Sequence, residues 1–125
     1  MATLGAQLTR VADGEVTIEL PFRADLTQQV GALHAGVTTA IADSACGYAA
    51  LTKMDEGADV LSAEFKVNLL APAVGDRFVA TGRVVKSGRT LTVVRGDVIA
   101  IAADGARREV LMMQGTMIVS PRAPA

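Results

Sequence analysis

Asp43 is the only formally charged residue among the 27 that separate Asp25 from Lys53. Aspartate is a poor residue for a helix interior and rarely sits inside a protein unless it is paired. A carboxylate confined among apolar neighbours can act as a general base or as a nucleophile, and such acids cluster at functional sites. The competing reading is that Asp43 merely faces water along one wet edge of a helix. Such an edge would carry further polar residues three and four positions away. Those positions hold Thr39, Ala40, Cys46 and Gly47, a weakly polar face. The pattern alone leaves the two readings level.

The start of the segment that carries Asp43 offers chemistry of its own. His34, the single histidine, stands just ahead of it. As an N-terminal side chain it suits a local hydrogen bond better than the role of catalytic base. The first N–H groups of a helix have no intrahelical partner and lie at the positive end of its dipole. They suit the oxygen of a carbonyl under attack, and Gly36 keeps that helix start uncluttered. Asp43 lies eight residues past Ala35, which is ~12 Å along a helix axis at ~1.5 Å per residue. Oxyanion donors must lie within ~3 Å of the oxygen they hold. Asp43 therefore cannot act on a carbonyl held at the start of its own helix. If both act on one substrate, two antiparallel helices from two subunits must supply them, so the motif predicts a dimer with shared sites.

Cys46, three positions past Asp43, is a rival nucleophile. Its only possible histidine partner, His34, is ~18 Å back along the helix. Cys46 therefore reads as a core residue beside a small-residue helix. One histidine and one cysteine are too few to hold a metal, and no metal or cofactor is expected.

These residues must be positioned by elements that the pattern also predicts. Leu8–Val11 and Glu15–Leu20 are strand-like runs around the turn Asp13-Gly14, and Pro21 ends the second. A polar segment, Arg23–Gln29, follows as a loop. From Ala35 the residues Val37, Ala40, Ile41, Ala45, Tyr48, Ala49 and Leu51 keep a helical period, which stops near Met54. Small residues crowd this helix and suit a tightly enclosed position. The rest is strand. Ser62, Glu64, Lys66 and Asn68 alternate with Ala63, Phe65, Val67 and Leu69, a half-buried pattern stopped by Pro72. Arg77–Lys86, Thr90–Ala102 and Arg108–Val119 follow, separated by the turns Ser87-Gly88 and Asp104-Gly105, with a frayed tail from Pro121. One long helix on one face of an antiparallel sheet makes an α+β domain.

The chain has 125 residues, enough for one domain with a real core, here expected over about 7–119. Half of it is apolar, yet only Phe22, Tyr48, Phe65 and Phe78 are aromatic, so the core must be aliphatic and small-grained. A net charge of −1 with scattered acids and bases leaves no footprint for nucleic acid or an anionic membrane. No run supplies the ~20 apolar residues of a membrane span. The segment from Met1 to Arg10 lacks the pattern of a signal peptide. A single cysteine forbids an internal disulfide and fits a reducing compartment. A cytoplasmic protein is expected.

Three blocks carry a family resemblance. The stretch from Gln28 to Gly36 followed by Ala42-Asp43-Ser44-Ala45 resembles the hotdog-fold acyl-CoA thioesterases, in particular the phenylacetate-degradation and 4-hydroxybenzoyl-CoA thioesterase-like branch. Gln28 lies six positions before His34 and Asp43 nine after it, as in that branch. The block Ser62–Pro72 is similar to the family's long strand ending in proline, and Lys86–Leu91 to its glycine-containing turn. The likeness runs from about Val16 to Val119. It implies a hotdog fold, with an antiparallel sheet of about five to six strands wrapped around one long central helix.

The resemblance also implies roles. Asp43 matches the catalytic carboxylate, as general base or nucleophile. Gln28 matches the polar side chain near the thioester, and Ala35 the residue whose N–H polarises the carbonyl. His34 matches the histidine that shapes the helix start, with Gly36 beside the substrate. Ser62 matches a hydroxyl that steadies the attacking water in some members. Lys86 and Arg89 are candidates for CoA phosphates, or else belong to a solvated turn. The implied partners are an acyl-CoA substrate and a second copy of the chain, as a homodimer or a homotetramer. One departure is visible: the family's usual His-Gly-Gly is His34-Ala35-Gly36 here, and the added methyl could narrow the acyl pocket or shift backbone angles, since alanine resists positive φ. Hydrolysis of an acyl- or aryl-CoA thioester to free acid and CoA leads. The alternatives are a hydratase or dehydratase of the same fold, whose catalytic-histidine motif is not found, and a non-catalytic acyl-CoA binder, which has no need of a confined acid.

Overall fold

The computed structural model describes residues 2–28 and 31–120; the expectations for Gln29, Val30 and the tail from Pro121 lie outside them. In chain order the elements are β1 (Gln7–Ala12), β2 (Glu15–Pro21), α1 (Ala35–Leu51), β3 (Val60–Leu69), β4 (Arg77–Ser87), β5 (Leu91–Ile101) and β6 (Arg107–Val119). Short 3-10 turns cover Ala2–Leu4 and Ala24–Leu26. The strands form one antiparallel sheet in the order β1-β2-β4-β5-β6-β3. The chain leaves β2 near one edge, runs through α1, and re-enters at the opposite edge as β3. The sheet curls around the helix, which is the hotdog arrangement.

The helix can sit this close to the sheet because of what lies beneath it. Gly82 of β4 and Gly96 of β5 are register partners. A Cβ on Gly82 would fall 2.4 Å from the backbone of Ala45 and Cys46, and one on Gly96 would fall 2.7 Å from the Cys46 sulfur. Only glycine permits such an approach. The facing helix residues are correspondingly small: Ala42, Ala45, Cys46 and Ala49 are all fully buried. Around this contact Val16, Ile18 and Leu20 of β2, Phe78 of β4, Val94 and Val98 of β5, and Leu111 and Met113 of β6 close an aliphatic core. Phe78 is the one aromatic side chain buried in it.

Two expectations need correction. Tyr48, grouped with the helix's apolar period, is 44% exposed, because the face pressed on the sheet is the one through Ile41, Ala45 and Ala49. The helix also stops at Leu51 rather than Met54. The last three residues continue as tight turns, with Lys53 N–H donating to Ala50 and Met54 N–H to Leu51.

β3 departs from its expected half-buried pattern more deeply. It is an edge strand paired only with β6, and its apolar side chains remain open: Leu61 is 49%, Phe65 44% and Leu69 59% exposed. Its register also slips. Ser62 pairs with Met117 and Glu64 with Thr116, so Ala63 is an extra residue, a β-bulge. Strict alternation would group Ser62 with Glu64, Lys66 and Asn68. The bulge instead puts Ser62, opposite buried Met117, on the same face as Phe65, Val67 and Leu69, which oppose buried Gly115, Met113 and Leu111.

Candidate active site

His34 is the N-cap of α1. Its Nδ1 accepts the Gly36 N–H at 2.9 Å, and its carbonyl accepts the Val37 N–H at 2.9 Å. A Cβ on Gly36 would come within 3.1 Å of that Nδ1, which explains the glycine. The imidazole is therefore a hydrogen-bond acceptor at this nitrogen. With Gly36 and Val37 satisfied, the Ala35 N–H is left without an acceptor among the described residues. The shift of backbone angles expected of alanine here does not arise: Ala35 is helical, and no non-glycine residue among those described has positive φ.

The loop before the helix doubles back over it. Leu26 accepts the His34 N–H at 2.9 Å, Thr27 bridges to Leu33, and the Gln28 N–H donates to Ala32 at 2.9 Å. This brings Gln28 beside Ala35 on the wall of an open cavity of about 380 Å³. Thr38, one turn into the helix, completes its polar lining and is buried, its hydroxyl donating to the Ala35 carbonyl at 3.1 Å. Leu33, Leu69, Ala73 and Val110 supply apolar wall. The candidates Gln28 and Ala35 thus line one cavity.

Asp43 is not part of that cavity. It sits two turns further along the helix, half-buried, where the Ser62 hydroxyl donates to its Oδ1 at 2.7 Å. The bulge at Ala63 is what aims Ser62 at the helix. Ser62 therefore orients the carboxylate itself, with the Met117 sulfur 3.3 Å from the hydroxyl on its other side. Oδ2 of Asp43 has no protein partner among the described residues.

Cys46 lies below this, fully buried, its thiol pushed up to about 12 by burial and by the charges of Asp43 and Asp97. A thiol held in that form is no nucleophile. Lys86 and Arg89 are exposed at the β4–β5 turn. That turn lies toward the helix C-terminus, where Gly14 links Val84 to Thr52 through hydrogen bonds of 2.8 Å each. They are remote from the cavity at the helix start of their own chain. No cluster of three or more potential metal ligands occurs among the described residues.

Sequence reasoning missed Thr38 and the stretch from Leu69 to Ala73. Thr38 had a signal, as a polar residue one turn after Ala35 in a helix of small residues. The wall after β3 had none, since nothing local says that it folds back beside the helix start. Val110, a bulge residue of β6 between Glu109 and Leu111, was equally hidden.

The model of the Thioesterase superfamily matches residues 30–105. A thioesterase family protein from Silicibacter pomeroyi has a similar crystal structure, with a TM-score of 0.93 and 48% identity over 95% of this chain and 87% of that one. The Escherichia coli PaaI protein of the phenylacetic acid degradation operon shares the fold, with a TM-score of 0.82 at 19% identity over 96% of this chain and 83% of that one. Human acyl-coenzyme A thioesterase 13 is 31% identical over 91 residues, 72% of this chain and 64% of that protein. An esterase-named protein of Saccharolobus solfataricus is likewise 31% identical over 91 residues, 73% of this chain. The match spans 64% of the length of both of these relatives. With the family model covering more than half of its residues, the chain belongs to the thioesterase superfamily.

Proposed function

We propose that the protein hydrolyses acyl-CoA thioesters to free acid and CoA, in sites shared by two copies of the chain. The observation that carries this reading is the Asp43 carboxylate, held through one oxygen by Ser62 and open at the other. Acting as a general base, Oδ2 takes a proton from water as the water oxygen attacks the thioester carbon. The carbonyl oxygen, becoming negative, is held by the Ala35 N–H of the second copy, beside Gln28 of that copy. When the tetrahedral intermediate collapses, the C–S bond breaks and the CoA thiolate leaves, taking up the proton that Asp43 gained. Direct attack by the carboxylate, through an anhydride that water then opens, uses the same atoms.

Two copies are invoked because one helix cannot bring Ala35 and Asp43 to one carbonyl, eight residues apart at ~1.5 Å each. The open apolar row of β3, at the sheet edge beside Asp43, is the surface that would meet the second copy. CoA as the carrier is supported by the human relative's name and by a Bacillus halodurans protein of the same fold solved with CoA, TM-score 0.74. A location in the cytoplasm is part of the same proposal; no described helix is long and apolar enough to cross a membrane.

Free thiol release from a panel of acyl-CoAs tests the chemistry. Asp43→Asn should lower kcat by ~10²–10⁴-fold while CoA still binds; unchanged release would sink the assignment. Sharing is tested by refolding Asp43→Asn together with Gln28→Ala. Half the molecules become mixed dimers, each with one intact site, so about a quarter of native activity should return. No recovery would mean that each site is built within one chain.

A further inference from the structure

We infer that the acyl group handled at this site is an uncharged hydrocarbon of medium length, seated in the cavity at the helix start. The inference rests on the thioesterase reading above and adds to it the class of substrate. A carbonyl held by the Ala35 N–H has this cavity on one side, because Ala35 forms part of its wall. Beyond Ala35 the walls are hydrocarbon: Leu33, Leu69, Leu70, Pro72, Ala73 and Val110. Leu33, Ala73 and Val110 are buried and make the floor, while Leu69 and Leu70 stand exposed at the rim. The floor is stiff, since the Leu33 N–H donates to Ala73 at 3.0 Å and the Leu70 N–H to Val110 at 2.9 Å.

What the lining lacks matters as much. Among the described residues no Lys, Arg or His side chain lines the cavity, and the proton of Thr38 is committed to the Ala35 carbonyl. The amide of Gln28 sits at the thioester end. A carboxylate carried at the far end of the acyl chain would lose its water and meet no donor, a heavy penalty. A volume of about 380 Å³ holds roughly a dozen groups of water's size at ~30 Å³ each. That suits a medium chain, each buried methylene of which should raise kcat/KM about fourfold.

The test compares octanoyl-CoA with suberyl-CoA, which has the same chain length but ends in a carboxylate, by thiol release. The native protein should prefer octanoyl-CoA by at least ~100-fold in kcat/KM. Leu70→Arg, at the exposed rim where it leaves the core intact, places a cation beside the chain end and should narrow that ratio at least ~tenfold. Comparable turnover of both substrates overturns the inference, as does an unchanged ratio in Leu70→Arg while octanoyl-CoA is still hydrolysed. Release from no acyl-CoA at all is a different result: it removes the thioesterase reading itself.

Discussion

The two flanks of α1 are built in opposite ways. Toward β4 and β5 the helix presses its backbone onto Gly82 and Gly96, and Ala42, Ala45, Cys46 and Ala49 are buried there with Phe78, Ala80, Val94 and Val98. Toward β3 it meets a strand whose apolar residues stay in the open, and there it carries Asp43. The first flank closes within one chain around the buried Cys46 thiol. The second has a carboxylate, a hydroxyl and an unfinished apolar surface. Rigidity is concentrated on one side so that the other can present chemistry at a fixed position.

Breaking the closed flank should have the largest effect. Gly82→Val would drive a branched side chain into the backbone of Ala45 and Cys46; destabilisation above ~3 kcal/mol is expected, a large share of the stability of a domain this size. Urea unfolding followed by circular dichroism measures it. A variant within ~1 kcal/mol of the native protein would mean that the helix is not pinned there.

The open flank should fail differently. Phe65→Glu lies on an exposed side chain, so the fold should hold to within about 0.5 kcal/mol, while sedimentation should report a monomer and hydrolysis should drop ~100-fold. A variant that remains dimeric and active would show that β3 is not where two copies meet. Ser62→Ala should be milder, lowering kcat about tenfold with KM nearly unchanged, because it frees the carboxylate to turn without removing it. A change confined to KM would argue that Ser62 touches substrate instead.

The smallest effect belongs to the solvent face of the sheet. Glu15 is bridged by Arg10 and Arg83, which hold its carboxyl below the usual carboxylate range. A lowered pKa in the folded state contributes stability above the unfolded value near 4.5, lost as pH falls through the folded value. The ion pairs are half-exposed and screened, so Glu15→Gln should cost well under ~1 kcal/mol at pH 7 and nothing below that window. Thermal melts of the two proteins should differ above pH 4.5 and converge as the pH falls through the lowered folded-state value. Melts that stay equally far apart at every pH would assign the difference to packing.

The strands and the helix were legible because their boundaries are chemical. Asp13-Gly14, Ser87-Gly88 and Asp104-Gly105 each separate two alternating runs, and the helix start is marked by His34. Asp43 was legible as a charge where none was expected. The glycine trough was not, since Gly82 and Gly96 gain meaning only when β4, β5 and α1 come together. The orientation of Ser62 was misread for a related reason. Counting residues by twos assumes an unbroken pleat, and a bulge leaves no mark in side-chain type. The apolar row of β3 was read as half-buried, and it stands open at the sheet edge, since alternation marks a face that is apolar but not whether the chain itself covers it.

The bulge at Ala63 makes the strand a carrier of two messages in different phase. Ahead of it, the even position Ser62 is turned toward the helix; behind it, the odd positions Phe65, Val67 and Leu69 are. A single residue of extra length thus sets an even-numbered hydroxyl and an odd-numbered apolar row on one face of the same edge. A regular ladder that took Ala63 into the pairing would turn Ser62 outward, whereas removing Ala63 would leave Ser62 beside Glu64, still opposite Met117 and facing the helix.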